Sequence, residues 1–286
     1  MNWHPASEMH AIERVAFAAL LSYPLSPKPF ERLLTKVRHK AAETGINELI
    51  VLPPVQIRLG SQDPKLSGPQ LGPHVEFGNP GQAFRRTENG RVLEEIIFNP
   101  SALAFSATTY NRWTEFTGRL KDCLSEVLTS IAEDAYISEL RIEYLDRFDL
   151  SMDGDSGTVT DCGSLINQNS VLISPVFRTQ IGSWHEHIGF FLDDNGDVRT
   201  LVNANVDVIA NSPGMPPALA EGYAAQAKFY TLTSAQQVVP NRGFENWENI
   251  KDHIDSRHEL SKSIFGDLIH PVLAEKIRLD AKPLRI

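Results

Sequence analysis

A chain of 286 residues with 42% apolar and 22% charged residues has the balance of a globular protein with its own core, and at this length needs no disulfide or metal staple. Its formal net charge of -9 and pI near 5.5 argue against bulk electrostatic attraction to nucleic acid or anionic membranes, leaving only a local basic patch as a route to either. The two cysteines, Cys123 and Cys162, belong to no Cys-x-x-Cys pair, which excludes a zinc ribbon or thioredoxin-like site and suits a reducing compartment.

The longest apolar run, Val15 to Leu21, is far short of the roughly 20 residues that span a bilayer, and Glu8 and Glu13 precede it instead of a basic leader. A cytoplasmic protein without a membrane segment is the expectation. Residues 11–23 fit a helix on alanine content, or a buried strand broken at Pro24. From Pro27 to Glu43 the spacing predicts a helix, with Phe30, Leu33, Leu34, Val37 and Ala41 on one face and Gly45 closing it. Pro53 to Pro80, rich in Gly and Pro, reads as short strands and turns.

Asn89-Gly90 lies between two strand-like runs, and both residues tolerate the positive φ of a two-residue hairpin turn. A further strand is expected from Ser101 to Ala107, then an amphipathic helix from about Thr109 to Ile131. Residues 137–150 alternate, with Leu140, Ile142, Tyr144 and Asp146 on one face and Arg141, Glu143, Leu145 and Arg147 on the other. The polar, Gly-rich stretch Ser151 to Ser170 is the best boundary between two halves. Three β segments are expected beyond it, Val171–Gln180, His185–Leu192 and Val198–Ile209, with Asn195-Gly196 turning between the last two. A stripe of Trp247, Ile250, Ile254, Ser261, Phe265 and Leu268 marks a long terminal helix, followed by a short one begun by Pro271.

Several constellations carry chemical potential. His185 and His187 sit two apart on a strand and therefore project to one face, where both imidazoles could ligate one metal; an ordinary solvent-facing pair is the commoner outcome, and no third ligand is evident. Asp153, Asp155 and Asp161 resemble part of a calcium loop but lack its terminal bidentate Glu, so a turn is the simpler reading. Lys28, Arg32, Lys36 and Lys40, each four apart, form a basic ridge that could dock an acidic partner or a phosphate backbone, against the plain alternative of a solvated helix face. Arg141, Tyr144 and Arg147 could organise an internal ion-pair network or, less commonly, an anion pocket. Gly-x-Ser-x-Gly, phosphate-loop and dinucleotide motifs are absent, and His258-Glu259 misses the zincin pattern.

Three stretches, Phe84-Arg85 to Gly90, Tyr110-Asn-Arg-Trp113-Thr-Glu-Phe116 and Leu140-Arg141 through Tyr144 to Arg147-Phe148, together with the His258 to Phe265 helix, resemble a sporadically distributed bacterial family of unknown function. Asp146 stands where that family's pattern has asparagine, and His270 where it has a helix-capping threonine. The resemblance spans about two thirds of the chain and implies that residues 11–23 form a strand. It supplies no catalytic residue, and the family's patchy distribution points to mobile or defence-related gene neighbourhoods.

The expectation is therefore an α+β protein of two antiparallel-sheet halves, 1–150 and 151–286, each packed with amphipathic helices. It is expected to be a non-enzymatic binding or interaction protein working with a partner protein, with no cofactor implied and nucleic acid not favoured. The alternative is a metal-dependent or ligand-binding enzyme using His185 and His187 in a cleft between the halves.

Overall fold

The computed structural model describes residues 3–7, 10–52, 81–151, 162–180, 182–193, 197–210, 223–238, 244 and 246–284. In chain order its strands are β1 (Trp3–Pro5), β2 (Ile12–Leu21), β3 (Glu48–Leu52), β4 (Gly81–Glu88), β5 (Arg91–Asn99), β6 (Ala102–Ala107), β7 (Ile137–Ser151), β8 (Trp184–Asp193), β9 (Val198–Ala210) and β10 (Tyr223–Gln237). The helices are α1 (Pro27–Glu43), α2 (Trp113–Ile131), α3 (Pro175–Arg178), α4 (Trp247–Leu268) and α5 (Pro271–Lys276). The strands form one antiparallel sheet in the order β3-β4-β5-β6-β2-β7-β10-β9-β8, and β1 pairs with the end of β7.

The α+β class expected from the sequence holds. The strands of the two expected halves, however, join in a single sheet. β7 pairs with β10 from Leu150↔Ala225 to Glu139↔Gln236, so the polar stretch after β7 interrupts the chain without interrupting the ladder. A 15-residue strand left as an edge would expose its N–H and C=O groups along its whole length, and β10 covers them.

Local signals explain most elements. Pro27 starts α1, and Leu33, Leu34, Val37 and Ala41 are buried along its predicted face. Asn89 and Gly90 adopt φ of 50° and 75°, the left-handed pair that a tight turn between β4 and β5 requires. Residues 12–21 form a strand, β2, between β6 and β7. The side chain of Asn246 accepts from the Asn249 amide to cap α4, and His270 caps α5 by accepting from the Val272 amide.

One predicted strand is corrected. Val171–Gln180 is a turn leading into α3. Asp267 draws in the amides of Val171 and Leu172, while the Arg178 guanidinium donates to the carbonyls of Gln168, Ser170 and Ile173. These bonds and Pro175 outweigh the β propensity of Val171 and Ile173. The turns expected in 53–80, the Asp153–Asp161 loop and the Asn195-Gly196 turn lie outside the described residues.

The helices cover one face of the sheet. There Leu140, Ile142, Tyr144, Asp146, Phe148 and Leu150 of β7 point inward, the alternation predicted from sequence. The buried apolar residues fall into two clusters. One gathers α1, α2 and the first turns of α4 over β2 and β4 to β7. The other gathers the last turns of α4 and α5 over β8 to β10. Among the described residues no helix is long and apolar enough to cross a membrane.

Candidate functional site

Three neighbouring elements interrupt their apolar pattern at the same level, where the two clusters meet. β7 carries Asp146 between Tyr144 of the first cluster and Phe148 of the second. β10 carries Thr231 and Thr233 between Phe229 and Ala235, and α4 carries Arg257, His258 and Ser261 between Ile254 and Ile264. Thr231 lies opposite Tyr144 in the ladder and Phe229 opposite Asp146, so these side chains share the helix-covered face. A polar seam thus crosses the core. Part of it is closed by hydrogen bonds, since the Thr233 hydroxyl lies 2.9 Å from the Ser261 hydroxyl and donates to the Arg257 carbonyl at 3.2 Å.

The remainder opens into a cavity of about 380 Å³. Tyr144, Asp146 and Thr231 form its floor. Tyr110 and Trp113, at the start of α2, and His258 and Phe265 of α4 make the walls. The chain end, Ile277 to Asp280, closes one side. That segment approaches α4 closely at Gly266, where an added Cβ would lie 2.8 Å from Ala281 Cβ.

The aromatic groups are held by specific contacts. Trp113 and His258 stack with centroids 4.2 Å apart and planes 8° apart. The Trp113 indole donates to Asp255 Oδ1 at 2.7 Å, and Lys251 reaches the other oxygen of Asp255 at 2.5 Å. Tyr144 Oη lies 2.7 Å from His258 Nδ1, and Tyr110 meets Tyr144 edge-on with centroids 6.4 Å apart.

Burial makes this interior electrically neutral near pH 7. Asp146 is only 3% exposed, and burial pushes its carboxyl up to about 8. No hydrogen bond or ion pair among the described residues offsets that burial. Burial also pushes His258 down to about 4 and raises the phenols of Tyr110 and Tyr144. Thr231 is 1% exposed, and its hydroxyl has no hydrogen-bond partner among the described residues. Such groups are costly to bury unpaired, so two of them in one cavity floor need a reason.

A second hollow, of about 440 Å³, shares Tyr110, Asn111 and Arg112 with the first. Its centre is Glu94, which accepts from Arg86 at 2.9 Å and from Arg119 at 2.7 Å. Burial opposes the charge on Glu94, but the two guanidiniums outweigh it and hold the carboxyl below its ordinary range. This is a satisfied ion-pair network. Cys123 is a buried thiol that desolvation pushes up, away from reactivity.

The candidates drawn from sequence are distributed differently. Tyr144 lies in the cavity floor, whereas Arg141 and Arg147 project from the opposite face of the sheet. There Arg141 pairs with Glu139 at 2.7 Å, and Arg147 with Glu13 at 2.6 Å and Asp149 at 3.3 Å. His185 and His187 share one face as their spacing requires, bonded to Asp207 and Asn205 of β9. Among the described residues no three His, Cys, Asp or Glu side chains are grouped to hold a metal. Of the basic ridge, Lys28 is exposed, but the others lean on α2 and the turn after it. Arg32 pairs with Asp134, Lys36 donates to Ser130 at 2.6 Å and Lys40 pairs with Glu126 at 3.0 Å. Asp146, Trp113, Tyr110 and His258 entered the sequence reading only as packing or motif residues. Thr231 was missed because it lies where β10 is buried on both faces and no alternation reveals it.

Comparison with known proteins yields no match, either to a family model or to a curated sequence.

Proposed function

We propose that this is a binding protein whose cavity between α2, α4 and the sheet takes a small organic molecule. The observation that carries the reading is the floor, where the Asp146 carboxyl and the Thr231 hydroxyl are buried and unpaired beneath aromatic walls. A ligand that hydrogen-bonds both would repay a desolvation that the protein alone leaves standing. The volume is in the range of small-molecule sites.

Binding is favoured over catalysis by the same geometry. Nucleophilic catalysis needs a hydroxyl or thiol in contact with a base. The Thr231 hydroxyl meets none among the described residues, and the Ser261 hydroxyl is engaged by Thr233. Tyr144 does meet His258, but burial holds that imidazole near a pKa of 4, a poor base for a phenol that is itself pushed upward. This supports the non-enzymatic reading and moves the emphasis from a protein partner to a small ligand. A partner protein would respond to the ligand through the elements that line the cavity, α4 and the chain end above all.

The test is native mass spectrometry of the full chain purified from its native host. A bound small molecule, lost from an Asp146→Leu/Thr231→Val variant of unchanged secondary structure, is the expected result. A wild-type chain that emerges bare, and is not stabilised by any member of a broad metabolite library, overturns the reading.

A further inference from the structure

Resting on that reading, we propose that the ligand is an amino acid or similar zwitterion, its primary ammonium seated on Asp146 and Thr231 and its anionic end at Arg112 and Arg278.

The assignment follows from which charges in the cavity are already matched. His10, Tyr110, Tyr144 and His258 surround the floor and are kept neutral by burial. Asp255 is taken by the Trp113 indole and by Lys251, and Lys262 by Glu259 at 3.0 Å. Asp146 is then the acid of the floor that has no hydrogen bond or ion pair among the described residues. At the mouth, Arg112 before α2 and Arg278 beyond α5 line the same cavity and enter no ion pair among the described residues, with Asp280 beside them as the only carboxylate. An acid inside and guanidiniums outside match a molecule of opposite polarity, positive end inward.

The inner end also selects the type of cation. Tyr110, Tyr144 and Trp113 line that end, the Trp113 ring already stacked on His258 and Phe116. Beneath them the ionised Asp146 carboxylate accepts and the Thr231 hydroxyl can accept or donate, so an ammonium with N–H bonds can serve both where a quaternary one cannot. A quaternary ammonium would leave Thr231 unpaired. A simple anion would meet the Thr231 hydroxyl and the Asp146 proton as donors, and it would lose the second on ionisation.

Proton balance supplies a signature. The free cavity holds Asp146 protonated at neutral pH, and the ligand arrives as an ammonium ion. Their pairing breaks the Asp146 O–H bond, leaves the carboxylate against the ammonium and releases the proton to solvent, so net charge is conserved. Binding should therefore release close to one proton at pH 7, and less as pH rises past 8.

The experiment is calorimetric titration of the full chain, in buffers of differing ionisation enthalpy, with the proteinogenic amino acids and a ring-matched set. That set is L-phenylalanine, phenethylamine without the carboxylate and 3-phenylpropanoate without the ammonium. The expected result is at least one amino acid bound about tenfold or more tighter than its amine and its des-amino acid, with proton release that Asp146→Asn abolishes. Asn preserves the shape and neutrality of the protonated acid, so the fold is retained. Arg112→Met/Arg278→Met should weaken the zwitterion and leave the amine unchanged. Binding of anions or neutral molecules alone overturns the amine assignment while leaving a ligand cavity. Binding of no compound in the panel overturns the assignment as well, and the native mass measurement then decides whether the cavity itself stands.

Discussion

Trp113 of α2 and His258 of α4 lie face to face, 4.2 Å between ring centroids, and His258 in turn meets Tyr144 on the sheet below at 2.7 Å. This chain of contacts ties the two helices to β7 beside the cavity. It also fixes the orientation of the imidazole, which burial keeps neutral.

Replacing Trp113 with alanine removes the stack, the bond to Asp255 and a large apolar surface. A loss of roughly 2–3 kcal/mol is expected by urea denaturation, less than for a fully buried Trp because the ring is half-buried. Trp113→Phe keeps a ring without the indole N–H and should lose about 1 kcal/mol.

The pH dependence of stability has opposing contributions. Asp146 has its pKa raised from 3.8 to about 8, so the folded state holds a proton that the unfolded state lacks, and stability falls as pH rises through that window. His258 has its pKa lowered from 6.5 to about 4, so its contribution is lost as pH falls through that range. The two slopes nearly cancel below 6.5 and leave a net fall above it. Asp146→Asn should remove a loss on the order of 2 kcal/mol between pH 6.5 and 8, read from urea midpoints at each pH. An unchanged slope in the variant would show that Asp146 ionises normally.

Gly266→Ala places a methyl against Ala281 and Leu279. The chain end should lift from α4 at a cost of about 1–2 kcal/mol, with faster amide exchange at 277–281 and little change in the sheet.

Removing Arg119 leaves buried Glu94 with Arg86 alone. Arg119→Met should cost about 2–3 kcal/mol, and adding Glu94→Gln should restore part of it, since an unpaired buried charge is the main penalty.

Much of the architecture was legible in the chain. The helical stripes of α1, α2 and α4, the Asn89-Gly90 turn and the alternation of β7 are local patterns, and local geometry decided them. β10 was not legible. In its sequence YAAQAKFYTLTSAQQ, Phe229 to Ala235 are buried on both faces in the middle of the sheet, so alternation is lost after its first few residues. The joining of both halves in one sheet depends on that strand, and no local signal carries a pairing as distant in sequence as Leu150 with Ala225 or Glu139 with Gln236. The cavity was partly visible: Tyr144 and Asp146 were placed on one face by their period-2 spacing. What was missed is that Tyr110, Trp113 and His258 converge on them, because convergence is set by how α2 and α4 cross the sheet. Arg141 and Arg147 enter ion pairs, as the first reading of the trio has it, but they share no pocket with Tyr144. Odd and even positions of a strand point to opposite faces, and the sheet stands between them.

The most direct measurement is the melting-temperature shift that a metabolite library gives to the wild-type chain and to Asp146→Leu/Thr231→Val. The variant keeps the fold and loses the polar floor, and it should melt at or above the wild-type temperature because two unpaired buried groups are gone. Compounds that stabilise the wild type and leave the variant unmoved are the predicted result. Compounds that stabilise both alike, or none that stabilise the wild type, would contradict a ligand site built on Asp146 and Thr231.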